Sequence, residues 1–97
     1  LNTQTFLTVI ECGPESFGAF APDIQGCIAF SVSREELLTL FKLAVEAHLR
    51  ELAEAGETLP IPETIGIPGL TIGVQSGSIT LEWTTVMLPV AAQVAHA

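Results

Sequence analysis

The sequence predicts an α+β domain: a three-stranded antiparallel meander, one long helix packed on the sheet, and a returning strand. Three observations carry this. Early in the chain, apolar runs rich in aromatic and β-branched residues are separated by short Gly/Pro breaks. A capped stretch of helical periodicity follows them. A strong strand-like run, ITLEWTTVML, comes near the end. With 97 residues and 48% hydrophobic content, the chain suits a single domain spanning 1–97 with one small core.

The first strand is expected over Thr5 to Cys12 (TFLTVIEC), apolar on both faces. Gly13-Pro14-Glu15-Ser16 breaks it, because Pro lacks a backbone donor and Gly tolerates positive φ. Phe17 to Ala21 makes the second strand, Pro22-Asp23-Ile24-Gln25-Gly26 the next turn, and Cys27 to Val32 the third strand. Ser33-Arg34-Glu35-Glu36 is a capping box, with the Ser33 hydroxyl set to accept the Glu36 N–H and the Glu36 carboxylate to reach back to the Ser33 N–H. The helix runs from about Arg34 to Ala55. Its apolar stripe is Leu37, Phe41, Ala44, Val45, His48 and Leu52, widened by Leu38 and Leu49, and Gly56 ends it. Pro60, Pro62 and Pro68 make the following segment a stiff connection anchored by Leu59, Ile61, Ile65 and Ile67. Leu70 to Val74 reads as a short additional strand. Ile79 to Leu88 is the returning strand, with Ile79, Leu81 and Trp83 on one face, expected beside the first strand and parallel to it. Residues 91–97 are expected to be a short tail.

Charge narrows the function. Eleven acidic residues face three basic ones, for a formal net charge of −8. Arg34, Lys42 and Arg50 all fall on the helix, and the last two lie four residues from Glu46, where local pairing is worth a few tenths of a kcal/mol. Direct nucleic-acid contact needs several cations to displace counterions, so this chain is not expected to make it. An acidic surface favours a basic partner. No apolar stretch approaches the ~20 residues that span a bilayer, and no basic region followed by an apolar block opens the sequence, so a cytoplasmic protein is expected.

The residues with chemical potential do not assemble into a motif. Cys12 and Cys27 lack metal-ligand or CxxC spacing and read as small buried hydrophobes. Glu11, Glu15, Asp23 and Glu82 are spread over different elements, and the acids from Glu35 to Glu57 are explained by capping and by a solvated helix face. The serines have no G-x-S-x-G elbow, and the sole lysine lies mid-helix rather than in a phosphate-binding loop. The expectation is a chain that is not an enzyme, with no catalytic residue, metal or cofactor.

Pro22-Asp23-Ile24-Gln25-Gly26-Cys27, then Ser33-Arg34-Glu35-Glu36-Leu37, then Glu57-Thr58-Leu59-Pro60 follow one another with the spacing of the HicB antitoxin family. The chain resembles that family over roughly residues 5 to 63. Residues 64–90 supply the connection and final strand. Ser31-Val32 stands where the family commonly has a Gly-Asp pair, and these 97 residues carry no segment that reads as a C-terminal DNA-binding module, so a stand-alone form is expected. It implies a partial ribonuclease H-like fold (β-β-β-α-β) that neutralises a small basic RNA-cleaving toxin by occlusion. Glu46 and Glu54 on the helix are the candidate partner-binding acids. A homo-oligomer, with a dimer favoured, is expected from the high apolar and low charged content, with Trp83, Val86, Met87 and Leu88 as candidate contacts. The alternative is a structural homo-oligomeric domain of this fold with no toxin partner.

Overall fold

In the computed structural model, which describes residues 2–89, the apolar run that opens the chain is buried on both faces. It forms β1 (Thr3–Cys12), in which five consecutive residues from Phe6 to Ile10 are buried. Successive side chains on a strand point to opposite faces, so such a run requires cover on both sides. The remaining elements are β2 (Phe17–Ala21), β3 (Ile24–Ser31), the helix α1 (Arg34–Glu54) and β4 (Ile79–Met87). The sheet order is β3-β2-β1-β4, and every pairing is antiparallel.

The helix covers one face. Leu37, Phe41, Val45 and Leu49 recur every four residues and are fully buried against Phe6, Ile10 and Ala19 of the sheet. Its start differs in detail from a simple capping box. The Ser33 Oγ accepts the Glu36 N–H at 3.4 Å, as expected. The return bond is relayed: the Ser33 N–H donates to the Ser31 Oγ at 3.2 Å, and the Ser31 hydroxyl donates to the Glu36 carboxylate at 3.4 Å. The helix ends in a Schellman turn. The Glu57 N–H reaches the Leu52 carbonyl and the Gly56 N–H the Ala53 carbonyl, with Gly56 at φ +75°, where a side chain would be strained.

The other face is covered by a strap, the connection 57–78. Ile67, Leu70 and Ile72 pack on Leu7, Val9 and Leu81 in a second, smaller core. The strap is tied down at both ends: Glu63 and Thr64 to Asp23 in the β2–β3 turn, and Gly73 by its N–H to the Leu81 carbonyl. The expected strand at Leu70 to Val74 is reduced to one bridge, Ile72 to Leu81.

The strap also corrects the expected direction of the last strand. β4 lies beside β1 as predicted, but antiparallel, with pairs running from Thr3–Met87 to Glu11–Ile79. A parallel strand follows when the helix alone returns the chain to its starting end. Here the helix makes one pass down one face and the strap a second pass along the other. The chain therefore enters β4 at the end where β1 finishes.

Candidate functional site

The helix presents an acidic outer surface next to the end of β4, and this is where the sequence places its candidate contacts. Glu54 is exposed in the last turn, with Glu51 and Glu57 exposed nearby. Glu46 is engaged within the fold, where its carboxylate accepts the Met87 N–H at 2.8 Å and holds the end of β4 against the helix. The expected pairing of Glu46 with Lys42 and Arg50 is not formed. Among the described residues the ion pair is between Arg34 and Glu82, which joins the helix start to the middle of β4.

The four apolar candidates for an oligomer contact separate. Trp83 and Met87 are 45% and 51% exposed. Val86 is 1% exposed, because the alternation of β4 turns it into the core beneath the helix. Leu88 is partly buried against that same core, and its N–H donates to the Asn2 carbonyl.

The carboxylates outside the helix face diverge. Glu11 is exposed on the strap side of the sheet and Glu82 is tied to Arg34 on the helix side. Asp23 accepts the Glu63 N–H, the Thr64 N–H and the Thr64 hydroxyl, each at 2.8 Å. The Thr64 N–H, foremost, holds its carboxyl below the usual range; desolvation opposes it, and the Thr64 hydroxyl and then the Glu63 N–H add to the lowering. Such a carboxylate is a clamp and a poor base. Among the described residues, no three His, Cys, Asp or Glu side chains gather as a metal site would need. Cys27 is buried, which pushes its thiol up and away from the reactive thiolate form. An open groove of about 590 Å³ lies between the β2–β3 turn and the helix end, with Asp23, His48, Leu52, Leu59, Ile61 and Glu63 along its walls. His48 stands at the edge of the apolar stripe and lines this groove.

The Asp23 clamp is not legible as such in the turn that contains it, since its partners lie 40 and 41 residues downstream. Asp23→Ala is expected to lower stability by about 1–2 kcal/mol, the scale of a charge-assisted hydrogen bond reduced for a half-exposed site. Because the folded state lowers the pKa of Asp23, the clamp contributes fully above the ordinary value of 3.8 and is lost as pH falls through the lower folded value. The gap in unfolding free energy between the wild type and Asp23→Ala should therefore close in acid. Urea titrations at neutral pH and below pH 3.8 measure it, with an unchanged gap contradicting the assignment.

Among the described residues, no helix is long and apolar enough to cross a membrane. No family model matches the chain, and no curated protein matches it. Among solved structures, it is similar to a chain of one described as a HicA3 and HicB3 toxin-antitoxin complex. That likeness has a TM-score of 0.56 at 24% sequence identity, and covers 64% of this chain and 72% of the other. At this identity the likeness is one of fold.

Proposed function

We propose that this chain is a non-catalytic binding module of the antitoxin kind, which acts in the cytoplasm by covering a small basic RNA-cleaving partner. The observation that carries this reading is the combination of a fold shared with a chain of a toxin–antitoxin complex and a net charge of −8. The motifs from Pro22 to Pro60 support the same family. Glu54 and its exposed neighbour Glu51 steer the encounter, and apolar contact supplies the lasting affinity. Glu46 is set aside as a partner contact because its carboxylate holds β4.

The test uses the product of a short basic reading frame beside this gene. Mixing should abolish that product's RNA cleavage. Reversing both charges, Glu51→Lys with Glu54→Lys, should slow association about tenfold at low salt and leave dissociation nearly unchanged, since steering acts on the encounter. RNA hydrolysis by this chain itself that falls with Glu11→Gln or Glu82→Gln would overturn the reading. A second reading, a homo-oligomeric domain without a toxin partner, draws on the exposed Trp83 and Met87. It predicts that no neighbouring basic product binds.

A further inference from the structure

The two edges of the sheet are treated differently. β4 is flanked by the strap through the Ile72–Leu81 bridge. β3 is the terminal strand on the other side, and among the described residues its outer edge pairs with no strand. Edges of this kind are usually guarded by Lys, Pro or inward charges. From Ile24 to Ser33 (IQGCIAFSVS) there is no charged residue and no proline.

The side chains along this edge are also uncovered. The strap packs on Leu7, Val9 and Leu81, a cluster bordered by Phe20 of β2, and is tied to the β2–β3 turn at Asp23. The alternation of β3 puts Ile28 and Phe30 on that same face, paired with Phe20 and Gly18. Ile28, Phe30 and Val32 are 57%, 64% and 78% exposed. Phe30 is not a loose side chain: its ring lies on Gly18, so close that a Cβ there would sit 3.0 Å from it. A flat aromatic surface is thus held in place and presented outward.

We infer that the β3 edge is the contact between two copies of this chain, paired antiparallel about a two-fold axis through the middle of the strand. The charge distribution selects this occupant. Two chains of net charge −8 repel each other overall, and that repulsion is least where the contact surface carries no charge. The β3 edge is a long neutral strip on which identical copies meet with no opposed charges. An antiparallel strand edge is also complementary to itself, which a two-fold contact requires. The result is a continuous sheet across both copies, with Ile28, Phe30 and Val32 from each forming one shared apolar patch. The contact is independent of any toxin partner.

Light scattering at roughly 100 micromolar, where a contact of modest affinity is populated, should give twice the chain mass of 10.2 kDa. Ile28→Lys with Phe30→Lys should return the mass to that of one chain. Both residues are exposed, so circular dichroism should show the helix and sheet retained. Trp83→Lys with Met87→Lys should leave the dimer intact. Hydrogen exchange gives an independent reading: amides of residues 24–31 should gain protection as concentration rises. A wild type that is monomeric at this concentration overturns the inference. So does a dimer that survives the lysines in β3, or one lost on changing Trp83 and Met87. None of these outcomes bears on whether a basic partner binds.

Discussion

Phe41→Ala is expected to cost about 3–5 kcal/mol, a large share of the roughly 5–15 kcal/mol that holds a domain folded. Phe41 is 0% exposed and sits at the middle of the helix stripe, among Phe6, Ile10, Leu37 and Val45. Removing its ring loses transfer free energy and leaves a cavity between a regular helix and a regular sheet. Neither wall can close on it without breaking its own hydrogen bonds. Thermal or urea unfolding, followed by circular dichroism, measures the loss. A cost below about 1 kcal/mol would mean that the helix is not docked on this face.

Leu81→Ala tests the opposite face and should behave differently. Leu81 is also 0% exposed, packed with Leu7 and Val9 beneath the strap. The expected loss is about 2–3 kcal/mol, near the lower end for a buried leucine, because an irregular segment can settle into part of the hole. The local signature should be larger than the global one. The Gly73 N–H, bonded to the Leu81 carbonyl, should exchange markedly faster, while the amides of α1 between Phe41 and Leu49 change only with global stability. Equal acceleration in both segments would show that the strap and helix layers do not open separately.

These two faces also mark where the sequence is informative. The helix is readable because its signals are local: Ser33 at the start, four-residue repeats of large apolar residues, and Gly56 at the end. β2 is readable to its end residues, bounded by Pro14 and Pro22. The direction of β4 is not, because it depends on whether the chain between Glu57 and Ser78 runs the length of the sheet a second time, and no local pattern records that choice. The same holds at the site. Glu46 sits on the polar side of the helix by periodicity, yet its carboxylate is taken by the backbone of Met87, 41 residues away. Val86 and Met87 are neighbours of similar character, and only the pleat of β4 sends the first inward and the second outward. The free β3 edge does leave a trace, the uncharged run from Ile24 to Ser33, which gains meaning once the strand is known to be terminal.

The pairing of Thr3 with Met87 has a consequence for how the domain is made. Of the four strands, β1 is synthesised before the others yet takes an inner position in the sheet, between β2 and β4. At synthesis rates of about 5–20 residues per second, β1 waits several seconds for β4. The β1–β2–β3 meander and the helix can form in that interval. One edge of β1 then stays open, and Leu7 and Val9 await Leu81. Because the β1–β4 pairs join nearly opposite ends of the described chain, completing the sheet requires closing a long loop, the step that slows folding in β-rich domains. Assembly of this domain therefore finishes after β4 has emerged, in one concluding step that closes the sheet and seats the strap together.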